Sequence, residues 1–542
     1  MTTEMRNKST NLLLAGLSGA LGVLSFPPFR LGFLAWVSLI PLLFVAKNAG
    51  YKRAFWYAYL SGIVFFGGLL YWLVNVTVPG AIVLVFGLAI FYGLFGILAR
   101  HVFKNSVEPL ILPFVWVVLE YIRAHIFTGF PWGLMGYTQY TNIDLIQIAD
   151  ITGVYGVSFI LVLFNVAIFG HIVRDRRRVL HLAGALILIL AALTYSKYKL
   201  DNCLSWGSPR IAVVQGNIPQ ESKWEAEHAD EIIRTYSDLT RDVSGDRPDM
   251  VIWPETAYPY LITALNDADE IETLASETGV PILAGAVSKD GPDYFNSAIF
   301  FTGDGKEPGK YNKTHLVPFG EYIPAEECLF SIRKYINKPI GNFAAGSGRP
   351  LFSLRSSIAL IRPDGTVTRA TNFYKFGVMI CFEDIFPYIA RDLTLKGANL
   401  LVNITNDAWF GDTAAPEQHV QASVFRAVEN RVSVVRAANT GVSCFVDFTG
   451  RVLFRICRGG KDTFIRAAEI GSVRVSNTGS FYTENGDLFV FFCIFMVMFI
   501  LAIEFILSRS AAKRDNTQDA KRETQNDNTQ DAKRHDARRR AS

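Results

Sequence analysis

The sequence predicts a two-part chain: a multi-pass α-helical membrane domain of about eight spans joined to an extramembrane α/β sandwich. Three observations carry that expectation. Half of the 542 residues are hydrophobic and the mean hydropathy is +0.24, too apolar for an ordinary soluble enzyme, yet parts of the chain are too charged for a bilayer. Apolar windows of about 20 residues, long enough to cross a hydrocarbon core as a helix, recur seven times before residue 200 and once near the end. Between the last two lies a long segment in which apolar strand patterns alternate with helical ones.

The spans are expected near 10–26, 31–47, 54–76, 80–102, 107–124, 152–173, 179–196 and 487–508. Arg6 and Lys8 before "NLLLAGLSGALGVLSF" give the first a signal-peptide flavour. With six spans following directly and no cleavage site evident, it reads as a retained signal-anchor helix. Short loops fix orientation. Lys47, Lys52, Arg53, Arg100, Lys104, Arg174, Arg176, Arg177 and Arg178 fall on one side, whereas "VTVPG" on the other carries no charge, which places the N-terminus inside.

The domain boundaries that follow are 1–197 for the seven-helix membrane domain, 198–485 for the outer domain, 486–508 for the last span and 509–542 for a basic tail. The tail repeats "DNTQDAKR" and has no apolar stripe to bury, so it is expected to be disordered, solvated and cytoplasmic. Its ten Lys/Arg against six Asp/Glu supply the whole net charge of +4, leaving the remainder balanced; no nucleic-acid partner is expected.

In the outer segment "RIAVVQG", "MVIWPE", "PILAGAV", "NSAIFFTG", "FGVMICFE", "NLLVNIT" and "VSVVRAAN" read as strands of a sheet covered on both faces. Five of the six cysteines (Cys203, Cys328, Cys381, Cys444 and Cys457) fall here at irregular spacing, so an odd number leaves an unpaired thiol. His315 and His419 stand isolated without ligand spacing, and neither a metal nor a cofactor is expected.

Cys381 ends the apolar run of "FGVMICFEDIFP". A strand-end cysteine is ordinarily a small core residue. Glu383 and Asp384, however, are not expected in that core, so the strand should emerge at Cys381, with "DIFPYIARDLTLKG" beginning a helix through Pro387 and ending at Gly397. Strand, thiol, sharp turn and helix make a nucleophile elbow. A thiol of pKa about 8.5 then needs a base or a nearby cation. Glu255 ends the strand in "VIWPETAYP", and "KYNKTHLVPFGEYIP" offers Lys310, Lys313 and Glu321 in a stretch too irregular for helix or strand. Taken singly, these read as a surface acid and a solvated basic loop.

Together, "WPE", "YNKTHLVPFGEYIP" and "MICFEDIFP" resemble the Glu–Lys–Cys triad of the nitrilase, or carbon–nitrogen hydrolase, superfamily, and "NITNDAWFG" and "RAVENRVSVVRAANTG" extend the match. An outer domain of that kind set between seven spans and an eighth resembles the apolipoprotein N-acyltransferase family, as do "TGFPWGLMGYTQY" and "IADITGVYGVSF". The resemblance implies a nitrilase-like αββα sandwich on the periplasmic side of a bacterial inner membrane. It implies Glu255 as general base, Lys313 as oxyanion stabiliser and Cys381 as nucleophile, with Glu321, Glu383 and Trp224 in support. Phe382 departs from the family, which has a tyrosine after the cysteine. The implied substrates are a phospholipid acyl donor, through the sn-1 chain of phosphatidylethanolamine, and a diacylated apolipoprotein acceptor whose N-terminal amine receives the acyl group. A membrane-anchored amidase passing the same thioester to water is the alternative within enzymes. A transporter or receptor with a binding ectodomain is the alternative outside them; Glu120 and Arg123 are almost the only ionisable groups in the spans, which disfavours transport.

Overall fold

The computed structural model describes residues 3–105, 107–264, 268–322, 342–361, 367–476, 478–506 and 537. Cys328 and, apart from residue 537, the basic tail lie outside them. The N-terminal part is helical as expected, but the expected spans are not uniform. Four helices among the described residues are long and apolar enough to cross a membrane: Val78–Lys104, Val154–Ile172, Arg178–Asn202 and Leu488–Ile506. The stretch expected as 31–47 is two pieces, a 3-10 turn Gly32–Trp36 and a helix Ile40–Asn48. Pro41 sits in the first turn of the second piece, where its missing N–H is harmless, whereas within one continuous helix it would break a hydrogen bond. In 107–124, Pro109 and Pro113 divide the chain in the same way into Pro109–Ile111 and Leu112–His125. In 54–76 the helix Tyr51–Leu69 gives way to the 3-10 turn Tyr71–Asn75.

The following part contains two sheets. The strands are β1 (Arg210–Gln215), β2 (Met250–Ile252), β3 (Tyr258–Ile262), β4 (Ile282–Asp290), β5 (Asp293–Phe301), β6 (Gly309–Asn312), β7 (Phe352–Ile361), β8 (Val367–Ile380), β9 (Leu400–Thr405), β10 (Ser433–Ala438), β11 (Cys444–Val446), β12 (Val452–Arg455) and β13 (Ala467–Ser472). One sheet runs β13-β1-β2-β4-β5-β6 with β3 beside β4; the other runs β12-β11-β10-β9-β8-β7. Their central pairs, β1–β2–β4 and β8–β9–β10, are parallel.

Two-residue periodicity sorts the side chains into layers. Ile211 and Val213 of β1 meet Val378, Ile380, Val402 and Ile404 between the sheets. Ala212 and Val214 point the other way, into a layer with Ile232 and Tyr236 of helix Ala229–Ser244 and Leu274 of helix Asp269–Thr278. Met379 and Leu401 face outward from the second sheet onto helices Pro387–Leu395 and Ala415–Asn430, and this layer is continuous with the core of the N-terminal helices. The result is an αββα sandwich whose second helical layer is also the floor on which the membrane-type helices pack.

Helix Ala415–Asn430 is buried at every residue despite its many polar side chains. Both of its faces are covered, and the polar groups find partners across the joint. The Gln418 carbonyl accepts from the indoles of Trp72 at 3.1 Å and Trp132 at 2.9 Å, and its amide donates to the Pro27 and Leu69 carbonyls. Gln418 bolts the two parts together.

Candidate active site

β8 ends at Ile380, and the chain turns through a single 3-10 turn, Cys381–Ile385, before Pro387 starts the next helix. Cys381 holds φ at +53°, a left-handed conformation rare for a side chain with a Cβ and a store of strain at functional turns. This is the sharp elbow expected at that position. Burial and the Glu255 charge hold the partly buried thiol well above its ordinary value, and Lys313 and a hydrogen bond from Thr405 offset only part of that rise.

Glu255 follows β2 and is 7 % exposed. Its Oε1 accepts from Asn296 Nδ2 at 2.7 Å, and its Oε2 accepts from the Asn406 amide at 2.8 Å. Its main chain lies against Gly285 of β4, where an added Cβ would sit 2.4 Å from the Pro254 carbonyl and 2.7 Å from Glu255 Cα. Glycine is required there by close approach.

Lys313 follows β6 and is 1 % exposed. The expectation of an irregular stretch needs correcting here, since residues 309–312 pair with β5 as β6; four residues are too few for an alternation to be visible. Lys313 Nζ lies 3.0 Å from Glu321 Oε1 and 3.8 Å from Glu255 Oε1. Burial alone would depress this amine, but Glu321 and Glu255 outweigh it and hold Lys313 charged. Glu321 also accepts from Asn296 Nδ2 at 2.8 Å and from the Val317 amide at 2.8 Å. Asn296 is thus shared by both carboxylates, and nothing in its local sequence marked it.

Glu383 and Asp384 correct a second expectation. Neither leaves the core; both are 0 % exposed. Glu383 takes hydrogen bonds from the Thr314, His315 and Ile380 amides at 2.8, 3.0 and 2.8 Å. Asp384 accepts from Ser423 at 2.5 Å and pairs with His419 Nε2 at 2.6 Å and Arg436 Nη1 at 3.2 Å. His419 is therefore not isolated. It belongs to a dry cluster of Asp384, Asp407, His419 and Arg436, which also holds Asn403, whose amide donates to the Cys381 carbonyl at 3.0 Å. Trp224 closes the turn Ser222–Trp224; its side chain lies outside the described residues.

One wall of the site comes from the N-terminal part. The Phe382 ring lies 6.4 Å from Phe130 and 5.0 Å from Phe386, and His315 stacks on Phe386 at 3.8 Å. Burial and the charges of Lys313 and Arg349 push His315 down to about 4, so it is neutral. Arg123 donates to the carbonyls of Phe130 at 2.8 Å and Trp132 at 2.7 Å, and Glu120 accepts from the Met135 amide at 2.7 Å. These two ionisable groups of the helical part brace the loop that carries Phe130. Chemically, the assembly offers a strained thiol, a fixed carboxylate and a permanent cation beside an apolar wall.

Residues 18–167 match the family described as "Apolipoprotein N-acyltransferase N-terminal domain", and residues 210–477 match "Carbon-nitrogen hydrolase". The chain is 38 % identical to an apolipoprotein N-acyltransferase of Geobacter metallireducens over 91 % of this chain and 95 % of that one. It is 34 % identical to another from Methylococcus capsulatus over 81 % and 86 %. A solved CN-hydrolase superfamily protein from Xanthomonas campestris aligns with 50 % of this chain and 91 % of its own, at 18 % identity and a TM-score of 0.35.

Proposed function

Because the chain belongs to the apolipoprotein N-acyltransferase family, we propose that its thiol, carboxylate and lysine carry acyl transfer through a thioester on Cys381. Glu255 takes the thiol proton as sulfur attacks an ester carbonyl of a phospholipid, and Lys313 stabilises the oxyanion. The ester C–O bond breaks, and the lysophospholipid leaves with the proton from Glu255. In the second half the free α-amine of an S-diacylglyceryl-cysteine attacks the thioester, Glu255 accepts the amine proton, and the C–S bond breaks. The thiolate recovers its proton from Glu255, and the product is an N-acylated lipoprotein. Glu321 holds Lys313, Glu383 holds the loop of Lys313 against the elbow, and Trp224 keeps the supporting role that the family resemblance implies.

The observation that carries the lipid part is the joint at Phe382. The residue after the nucleophile touches Phe130 on the loop of the helical part, so the sulfur works beside the apolar helices. Exposing an acyl chain to water would cost about 0.8 kcal/mol per CH₂, and this placement avoids it. We take the donor to be the sn-1 chain of phosphatidylethanolamine. The eight apolar segments form the membrane domain, and residues 198–485 face the periplasm of the inner membrane. The basic tail 509–542 faces the cytoplasm, and a reporter fused after Ser542 should be active only there.

The test is to incubate the purified protein with labelled phospholipid and a diacylated lipopeptide and weigh the peptide. A gain of one acyl group supports the reading. Labelled free fatty acid with an unchanged peptide would make the protein a hydrolase instead.

A further inference from the structure

A second lysine lies at the site, and the triad does not use it. Lys223 is 2 % exposed, in the turn Ser222–Trp224. Its Nζ donates to the main-chain carbonyl of Glu255 at 2.9 Å. Lys313 approaches the carboxylate of the same residue, so Glu255 is held by a lysine at each end. The two lysines differ in pairing. Lys313 has the carboxylates of Glu321 and Glu255, whereas among the described residues Lys223 has a hydrogen bond to a neutral carbonyl and no ion pair, and a buried amine so placed is expensive. The ionisable groups whose charges reach Lys223 are Glu255 and Cys381; Glu221 and Glu225, which flank its turn, are exposed.

We propose that Lys223 is a positioning residue for the thiol chemistry: its amine grips the Glu255 carbonyl, keeping the carboxylate in register with the nucleophile, and its charge while protonated favours the Cys381 thiolate. Burial pushes this amine down to about 7, so its charge is present in acid and lost just above neutrality. Thiolate support from Lys223 therefore fades with rising pH, whereas that from Lys313 does not. The inference rests on Cys381 being the reacting thiol, as in the proposed function.

The test is alkylation of Cys381 by iodoacetamide in the full-length protein, without lipid, read as the mass of the Cys381 peptide. The ratio of wild-type to Lys223→Met rates is expected to be about ten at roughly pH 6, one pKa unit in the thiol, and to approach one by roughly pH 9. Lys223→Gln keeps a donor for the Glu255 carbonyl without the charge. It should alkylate like Lys223→Met yet recover part of the rate of acyl loading, with kcat rather than KM moving. A ratio near one throughout, or a ratio independent of pH, overturns the proposal. Because alkylation needs no acyl donor, the two readings fail separately. A wild type that alkylates as expected but never takes an acyl chain defeats the proposed function alone. A wild type that loads, with Lys223→Met matching it at every pH, defeats the role of Lys223 alone.

Discussion

The hydroxyl of Tyr311 donates to both carboxylate oxygens of Glu383 at 2.7 Å, tying β6, which leads into Lys313, to the turn that carries Cys381. Among the described residues Glu383 accepts six hydrogen bonds and donates none, since Thr314 adds its hydroxyl at 2.9 Å to the two from Tyr311 and the three amides. Glu383→Gln turns one acceptor into a donor that faces other donors. Leaving buried donors unpaired costs about 1–3 kcal/mol each, more beside a charge. The variant should unfold at a lower temperature and load acyl groups at least tenfold more slowly. Wild-type melting and loading together would show that Glu383 is not the clamp between the two loops.

Lys313→Met keeps the volume and removes the cation that faces Glu321 and Glu255. Loss of one oxyanion donor typically costs about 10²–10³ in rate, and the loading rate should fall at least that far. Near-normal turnover in a folded Lys313→Met protein would remove this residue from the chemistry.

What the sequence revealed of the site and what it hid divide along one line. The elbow was legible because its signals are local: an apolar strand, then Cys381, then Pro387 at the first turn of a helix. The burial of Glu383 was not, because its partner Tyr311 is 72 residues away. Asp384 likewise meets Arg436 at a separation of 52. Charged residues read as surface until distant partners are known. Helix Ala415–Asn430 was legible as a helical pattern, but its burial was hidden for the same reason, since its Gln418 binds Trp72 from 346 residues away. Asn296 and Lys223 carry no pattern of their own; Lys223 is visible only as the neighbour of Trp224. Length windows overstated the uniformity of the spans because hydropathy does not register Pro41 as a break.

The cluster around His419 makes stability depend on pH in a defined direction. Burial raises Asp407, but Arg436 and His419 outweigh it and hold this carboxyl well below the usual range. Its contribution is complete above the unfolded value of about 3.9 and is lost only in strong acid. His419 moves the other way. Burial and Arg436 push it down, yet Asp384 and Asp407 prevail and raise it. The stability it adds is present below the unfolded value of about 6.5 and is lost as pH rises through its higher folded value. Lys223 and Glu429 also titrate near neutrality, so the useful quantity is a difference. The gap in unfolding midpoint between wild type and His419→Gln should be widest below about pH 6.5 and shrink above it. A gap that widens with pH would mean that His419 is neutral in the folded cluster.

The order of events at Cys381 can be read directly. Phospholipid alone should load a thioester, seen as an acyl mass adduct that neutral hydroxylamine removes, because a thioester yields to it far faster than an amide. Cys381→Ser should load poorly, since a hydroxyl is a much weaker acid than a thiol and Glu255 is a weak base for it. Glu255→Gln should also fail, because the amide cannot accept the proton although Asn296 and the Asn406 amide still surround it. Cys203, Cys444 and Cys457 are free, with Cys444 buried at the start of β11; replacing any of them should leave the adduct. Outcomes that place the nucleophile elsewhere are an adduct that survives in Cys381→Ala, or its absence from wild-type protein that is turning over. The φ of +53° at Cys381 adds a condition: the elbow is strained before any substrate arrives, so loading should show no lag and should begin at its full rate on mixing.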